Sequence, residues 1–355
     1  MKISISPFNR LAVILVAGAL VMGQGCSLPF FGSQQDQTDG GVFRSDDHGQ
    51  SWKQKNTLKT SQGTSTLRDV SVRTLVADPQ VAHRWFLGSV GQGVYMTTDG
   101  GDTWESTSLK TGDFTCIVFQ PTDHEVMYAS AGMSIVKSIN GGKNWKTVYS
   151  DTQGGTMGCV AVSPQASLTI YGLTTTGKLL QSVDGGKNWS LLLTVRSISP
   201  RLMSISPDAN TITVFGKTEG IFVINLANKS WQDISKSLKD YSGAKTIRSV
   251  SALETPQPLW HIATNYGLLR SVDHGATWQP IKTLDNPGTV AIQNVVVNPT
   301  DTKEIFISVG KKIERTSDGG TTWTVSSVAT TRSLVQLQRD PNSVDRLFVA
   351  TFTTK

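Results

Sequence analysis

The sequence predicts an all-β protein, a seven-bladed β-propeller whose blades each contain four strands. Three observations indicate this fold. A short segment ending in tryptophan recurs along the chain, short β-branched strands accompany each copy, and the two ends of the chain complete one another. Together they predict a ring of repeated sheets.

The recurring segment has the form of SVDGGKNW, which spans 182–189. Six clear copies and one degenerate copy, INLANKSW at 224–231, are present, and successive tryptophans are separated by 52, 41, 44, 42, 47 and 45 residues. These tryptophans are Trp52, Trp104, Trp145, Trp189, Trp231, Trp278 and Trp323. A unit of this size that recurs along the chain indicates a repeat architecture, in which each unit packs mainly on its neighbours.

Each unit also contains the same series of short strands. In the third unit, FTCIVFQP (114–121), VMYASA (126–131) and SIVKS (134–138) precede the segment, and KTVYS (146–150) follows it. Such β-branched runs, separated by Gly, Pro and Asp, are typical of all-β proteins. Four strands in about 45 residues is the size of a propeller blade.

The ends of the chain predict how the ring closes. Only one strand, GVFRS (41–45), precedes the first copy, whereas two strands, SLVQLQ (333–338) and LFVATF (347–352), follow the last. The C-terminal strands therefore complete the N-terminal blade, which gives seven blades over 41–355 and an average of 45 residues per blade. This closure leaves no long unpaired strand edge.

The polar residue at the third position of each segment is expected to build a tight turn between the third and fourth strands. Its side-chain oxygen accepts backbone N–H bonds, the glycine two residues later permits positive φ, and the tryptophan buries its ring. These residues are Asp47, Asp99, Asn140, Asp184, Asp273 and Asp318. Leu226 cannot accept such bonds, so we expect a looser or remodelled turn in the fifth blade.

The pattern SxDxGxTW resembles the Asp-box, or BNR, repeat of sialidases, xyloglucan hydrolases, sortilin-type receptors and photosystem II assembly factors. The resemblance covers nearly the whole chain after residue 40 and implies a propeller. These families share the turn and not the chemistry, so the segments are predicted to be structural.

The N-terminal residues predict a lipoprotein. Lys2 and Arg10 are basic, residues 11–22 are apolar, and Gly23-Gln24-Gly25 leads to Cys26. The apolar stretch is shorter than a membrane-spanning helix. Residues 1–25 resemble a bacterial lipoprotein signal peptide cleaved before a lipidated Cys26, and an ordinary secretory signal is the alternative. Residues 26–40 would then form a flexible tether at the extracytoplasmic side of a cell membrane or outer membrane.

The charge and the remaining motifs exclude several classes of function. A formal net charge of +6 in 355 residues is a mild excess, and no basic run contains interleaved aromatic residues, so nucleic acid is not predicted as a partner. The five histidines are scattered and no HExxH or CxxC occurs, so no metal site or cofactor is predicted.

Cys116 and Cys159 each lie five residues before the proline that ends the first strand of their blade. Equivalent positions in adjacent blades bring them to the same level of the ring. A disulfide and a pair of buried thiols are both compatible with this placement.

Two acidic residues are candidates for glycoside chemistry. Asp69 and Asp113 precede the first strands of adjacent blades, and hydrolysis of a glycosidic bond requires two carboxylates. The alternative is that both are solvated loop residues. A sialidase-like enzyme would require an arginine triad, a tyrosine nucleophile with its carboxylate and an FRIP-type segment, and this sequence has FRSD (43–46) instead of that segment.

The strongest candidate site is a set of arginines. Arg73, Arg201, Arg248 and Arg332 lie at or within one residue of the start of four innermost strands, so we expect a cationic collar at one mouth of the channel. Arginine suits bidentate binding of carboxylates or phosphates. The alternative is that each arginine pairs with a nearby acid. We therefore expect a non-enzymatic scaffold, similar to an assembly factor, that binds an acidic surface of an envelope or membrane protein. A glycan-binding or glycoside-hydrolysing propeller is the alternative.

Overall fold

The computed structural model describes residues 39–254 and 257–352. These residues form seven antiparallel blades, which confirms the predicted all-β, seven-bladed propeller. One short 3₁₀ helix (Ser235–Leu238) follows the fifth blade. The predicted signal peptide, Cys26 and nearly all of the predicted tether lie outside the described residues.

Each blade is built from an innermost strand to an outermost strand, in the order that follows. Blade 1 contains β29 (Ser333–Arg339), β30 (Leu347–Phe352), β1 (Val42–Ser45) and β2 (Lys53–Gln54). Blade 2 contains β5 (Val72–Ala77), β6 (Trp85–Ser89), β7 (Val94–Thr97) and β8 (Trp104–Ser106). Blade 3 contains β9 (Phe114–Gln120), β10 (Asp123–Ala131), β11 (Ser134–Ser138) and β12 (Lys146–Ser150). Blade 4 contains β13 (Met157–Val162), β14 (Ile170–Thr174), β15 (Lys178–Ser182) and β16 (Ser190–Thr194).

The remaining blades follow the same order. Blade 5 contains β17 (Pro200–Ile205), β18 (Thr211–Gly216), β19 (Ile221–Asn225) and β20 (Ser230–Asp233). Blade 6 contains β21 (Ile247–Leu253), β22 (Leu259–Thr264), β23 (Leu268–Ser271) and β24 (Gln279–Ile281). Blade 7 contains β25 (Asn294–Val297), β26 (Ile305–Val309), β27 (Lys312–Thr316) and β28 (Thr324–Ser327).

Blade 1 closes the ring by combining strands from both ends of the chain. β1 pairs antiparallel with β30, from Val42 opposite Ala350 to Ser45 opposite Leu347. The ring closure predicted from the sequence is therefore confirmed. Every inner strand contacts the inner strands of both neighbouring blades, so the seven inner strands surround a central channel.

Blade 2 carries an extra hairpin that the sequence analysis did not predict. β3 (Thr57–Thr60) and β4 (Gly63–Thr66) form this hairpin, and β3 pairs in parallel with β8. The segment TLKTSQGTST is mostly polar and lacks the apolar alternation that marks a half-buried strand. The hairpin extends blade 2 to six strands.

The hydrophobic core lies between adjacent blades. Between blades 2 and 3, for example, the buried Phe86 packs with Phe114, Met127 and Trp145. Alternating side chains of each strand face opposite neighbours, so second strands such as β6 and β14 are buried on both faces, whereas outermost strands such as β12 and β16 are largely exposed. Because each blade covers the next, the ring is stabilised by burial around its whole circumference.

The strand directions define two faces of the ring. The upper face is the one at which the seven inner strands begin, and it also holds the turns between second and third strands. The lower face holds the turns between first and second strands and those between third and fourth strands. The repeated segments of the sequence therefore lie on the lower face, and the predicted arginines lie near the upper face.

Candidate functional site

The six repeated turns on the lower face share one set of hydrogen bonds. In blade 4, Ser182 Oγ donates to Asp184 Oδ1 at 2.8 Å, and the backbone N–H of Gly186 donates to Ser182 Oγ at 2.9 Å. Asp184 Oδ1 also accepts the backbone N–H of Asn188 at 2.9 Å. Asn140 makes the equivalent bond to the N–H of Asn144 at 2.9 Å. The polar groups of the turn therefore form hydrogen bonds with one another, and few of them remain to bind a ligand.

The tryptophans of these turns bury most of their rings, and each indole N–H has one acceptor. In blade 3, for instance, Trp145 Nε1 donates to the carbonyl of Gly142 at 2.7 Å. The same holds for Trp52, Trp104, Trp189, Trp278 and Trp323, whose acceptors are serine hydroxyls or backbone carbonyls. The positions support a structural role for these residues.

The turn of blade 5 is remodelled. β19 ends at Asn225 and β20 begins at Ser230, so the connection is three residues shorter than that of blade 4. Asn225 Oδ1 accepts the backbone N–H groups of Ala227 and Asn228 and so replaces the missing aspartate. Trp231 is 38% exposed.

On the opposite face, six of the seven inner strands contain a β-bulge near their first residue. In β5, Val72 pairs with Ser89 and Thr74 pairs with Gly88, so Arg73 is left without a partner in the ladder. Bulges re-aim side chains, and in this ring they occur at the mouth of the channel. The bulged residues around the ring are Arg73, Thr115, Gly158, Arg201, Arg248 and Val335.

Three of the predicted arginines thus occupy the same structural position in three blades. Arg73, Arg201 and Arg248 line one cavity of about 250 Å³ inside the ring. Lys217, from the turn after β18, lines the same cavity. We call these four residues the cation cluster.

The cation cluster has few partners within the protein. Arg201 Nε donates to the carbonyl of Ile247 at 3.3 Å, and Arg248 Nε donates to Asn265 Oδ1 at 2.7 Å. Arg73 Nε is buried and has no hydrogen-bond acceptor. In residues 39–254 and 257–352, none of the four cations forms an ion pair with a carboxylate.

The cations of the cluster repel one another. Burial, and then the charges of Arg248 and Arg73, lower the pKa of Arg201. Burial, and then the charges of Arg201 and Arg73, also lower the pKa of Lys217, while Glu219 acts in the opposite direction. The carboxylate of Glu219 accepts the backbone N–H groups of Ser199 and Thr218. The cavity therefore concentrates positive charge that the protein does not neutralise.

Arg332 does not lie in this cluster, although the sequence placed it with the other three arginines. Leu334 pairs with Thr351 and Gln336 pairs with Ala350, so Val335 is the residue equivalent to Arg73. Arg332 lies three residues earlier, and its Nη2 donates to Asp69 Oδ1 at 3.2 Å. For Arg332, the alternative of a private ion pair is the one observed.

Lys217 is the functional candidate that the sequence analysis missed. It comes from a turn between second and third strands, whereas the four arginines predicted from the sequence all lie near the beginnings of inner strands. The turns between second and third strands lie on the upper face, as do the beginnings of the inner strands. A basic residue directly after a predicted second strand could therefore have identified Lys217 from the sequence.

The two candidate carboxylates have separate partners. Asp69 pairs with Arg332, and Asp113 Oδ1 accepts the backbone N–H of Gly91 at 2.8 Å. Neither residue lines the cavity of the cation cluster. The structure therefore does not place these two acids in the cavity of the cation cluster.

The two cysteines lie on adjacent inner strands and line the cavity of the cation cluster. Cys116 Sγ and Cys159 Sγ are 3.0 Å apart, and both are free thiols. The separation exceeds the ~2.05 Å of a disulfide bond, so the disulfide considered from the sequence is not formed in this structure.

Within the described part of the chain, no three His, Cys, Asp or Glu residues are grouped in a way that could hold a metal ion. In the same residues, no helix has the length and apolarity needed to cross a bilayer.

The sequence matches no family model and no curated protein. Solved structures share the fold. A structure described as YCF48 bound to D1 peptide has a TM-score of 0.61 and 16% identity, and the match covers 80% of this chain and 94% of that one. YCF48 from Cyanidioschyzon merolae has a TM-score of 0.61 and 15% identity, with 80% and 96% covered.

A GH74 xyloglucanase from Xanthomonas campestris has the same TM-score of 0.61 at 14% identity, with 80% of this chain covered. The chain spans about half of that enzyme, 51% of its length. These comparisons establish a propeller fold that is used both by a peptide-binding protein and by an enzyme.

Proposed function

We propose that this protein is a non-enzymatic scaffold that binds an acidic segment of a partner protein at the cation cluster. The observation that carries the proposal is a group of four cations on one cavity without a carboxylate partner in the described residues. Positive charges that share one cavity without a carboxylate partner repel one another, so such a site favours an anionic ligand. The planar guanidinium groups of Arg73, Arg201 and Arg248 suit bidentate binding of carboxylates.

The position of the cluster fits this function. Arg201 is exposed to the cavity, whereas Arg73, Arg248 and Lys217 are partly buried. A cavity of about 250 Å³ admits acidic side chains and not a folded domain. The loops of the upper face would then contact the rest of the partner, and the cations would chiefly set specificity and the rate of encounter.

One further observation supports a protein ligand. One solved neighbour of the same fold is a peptide complex, YCF48 bound to D1 peptide, and it shares 16% identity with this chain. The xyloglucanase neighbour leaves a glycan-binding or glycoside-hydrolysing function as the alternative. Against this alternative, Asp69 forms an ion pair with Arg332 and Asp113 accepts the backbone N–H of Gly91.

The N-terminal residues also support a proposal for the cellular location of the protein. Residues 1–25 resemble a lipoprotein signal peptide, so we propose that a lipidated Cys26 holds the propeller at the extracytoplasmic side of a membrane and that the partner is an envelope or membrane protein. Labelling cells with a palmitate analogue tests this part. The wild-type chain should take up the label and the Cys26→Ala variant should not; equal labelling, or none in either, contradicts it.

The scaffold function is tested by capture from detergent-solubilised envelope membranes. The bait proteins are the wild type, a cavity variant (R73Q/R201Q/R248Q) and a control variant (K53Q/K146Q/K303Q). The control removes the same charge from exposed lysines beside lower-face turns. A defined protein should be retained by the wild type and the control, be lost with the cavity variant, and be weakened by salt. Capture of polysaccharide without protein, or equal capture by all three baits, contradicts the proposal.

A further inference from the structure

The thiol pair in the wall of the channel has no part in the proposed binding function. Cys116 lies in β9 and Cys159 in β13, the inner strands of blades 3 and 4. Their sulfur atoms are 3.0 Å apart, which is about 1 Å longer than a disulfide bond. Two thiols from different blades therefore face each other at a distance from which a small rotation of the side chains could join them.

The pair is accessible from the channel. Both cysteines line the same cavity as the cation cluster. Cys116 is partly buried, whereas Cys159 is only 5% exposed. A reagent in the cavity would therefore meet Cys116 first, and Cys159 lies behind it.

The two thiols also differ in acidity. The hydrogen bond between the two sulfurs lowers the pKa of Cys116, and the same interaction together with burial raises the pKa of Cys159. Because the thiolate is the nucleophile, the lowered pKa of Cys116 favours this residue as the attacking sulfur. Exposure and acidity thus assign the same order to the two residues.

We propose that Cys116 and Cys159 form a reversible thiol–disulfide pair, which anionic low-molecular-weight disulfides such as oxidised glutathione reach through the cationic cavity. Oxidised glutathione carries carboxylates, and the three arginines and Lys217 line the route to Cys116. The cations would raise the local concentration of such an anion and so the rate of reaction. The inference does not depend on the identity of a protein partner.

The reaction balances as two exchanges. The Cys116 thiolate attacks one sulfur of oxidised glutathione, the S–S bond of the reagent breaks, and one glutathione thiolate leaves. Cys159 then loses its proton, attacks the Cys116 sulfur of the mixed disulfide and displaces the second glutathione. The protein loses two electrons and two protons, and one oxidised glutathione becomes two reduced molecules. The product links the inner strands of blades 3 and 4.

Differential alkylation of the native full-length chain tests the pair. After equilibration with oxidised glutathione, peptide mapping should show that Cys116 and Cys159 lose their thiols together and are joined by a bond that reducing agent reverses. The Cys159→Ser variant should instead keep glutathione on Cys116, because the resolving thiol is absent. Two thiols that stay independently alkylatable in the folded wild type, or a lasting glutathione adduct without closure, would overturn the proposal.

The route through the cavity is tested by rates. We expect the R73Q/R201Q/R248Q variant to react with oxidised glutathione roughly 10-fold more slowly than the wild type, with the difference shrinking at high salt. Bis(2-hydroxyethyl) disulfide, which is acyclic and uncharged, should react equally with both proteins and so controls for thiol exposure. The K53Q/K146Q/K303Q variant should behave as wild type. Equal rates with oxidised glutathione in all three proteins would show that the cations play no part.

Discussion

Arg201 and Arg248 occupy the same position in adjacent blades, since each is the residue that bulges out of the pairing between the first and second strands of its blade. Arg73 repeats this position across the channel in blade 2. The repeat therefore supplies an equivalent bulged site in six of the seven blades, and side-chain identity at these sites determines the charge at the mouth of the channel. Arginine at three of these sites produces the cation cluster.

The blade that closes the ring packs on blade 2 through Phe348 and Trp85, whose ring centroids are 4.2 Å apart. Phe348 is fully buried. We expect Phe348→Ala to reduce the free energy of unfolding by about 3–5 kcal/mol because it leaves a cavity. Urea denaturation measures the change. Val344→Ala, at a position 59% exposed in the same blade, should change it by less than about 0.5 kcal/mol; similar losses for both would argue against this closure.

The repeated turns should tolerate an amide better than an alanine. Asp47 Oδ1 accepts the backbone N–H groups of Gln50 at 3.0 Å and Ser51 at 2.9 Å. Asp47→Ala should cost about 1–2 kcal/mol of unfolding free energy. Asp47→Asn should cost less than half of that, since Asn140 serves the same purpose in blade 3. Thermal denaturation of both variants measures the loss of unfolding free energy. Equal losses for the two variants would show that the negative charge of Asp47, and not its hydrogen bonds, stabilises the turn.

Glycine is required where a turn approaches the next blade. Gly142 has φ of +80°, and a Cβ atom there would collide with the ring of Phe86 in blade 2. Gly132 also has positive φ, +57°, but faces open space. Gly132→Ala should therefore cost about 1 kcal/mol from backbone strain alone, and Gly142→Ala should cost about 3 kcal/mol or more. Chemical denaturation distinguishes the two, and equal costs would rule out the steric contribution.

His261 should make stability depend on mildly acidic pH. Burial, with a smaller contribution from Arg270, lowers its pKa from 6.5 to about 3, and neither ring nitrogen has a hydrogen-bond partner. The unfolded chain binds a proton there below pH 6.5 and the folded chain does not, so stability falls as the pH falls from 6.5 towards 3. His261→Leu should remove about 1 kcal/mol of this loss per pH unit. Urea midpoints of wild type and variant across this range measure the difference; parallel curves would contradict it.

The fold was predictable because it depends on features that recur. Seven tryptophans at regular spacing and complementary chain ends determine the number of blades and the ring closure. The site was only partly predictable, because the position of a β-bulge depends on pairing with the second strand. Arg332 lies one residue before β29 and so resembles Arg73 in lying near a strand start, but the pairing makes Val335 the residue equivalent to Arg73. The hairpin of β3 and β4 escaped prediction since its strands bury almost nothing.

The most direct test of the cation cluster is a titration with a fluorescent oligoglutamate peptide followed by anisotropy. The proteins are the wild type, R201Q/R248Q and the lower-face variant K53Q/K146Q. Each double variant removes the same charge, so a general charge effect would weaken both equally. Loss of two charge-assisted contacts should raise the Kd of R201Q/R248Q by at least about 10-fold, while K53Q/K146Q stays near the wild type. Equal Kd values for the two variants would contradict a binding site at the upper mouth of the channel.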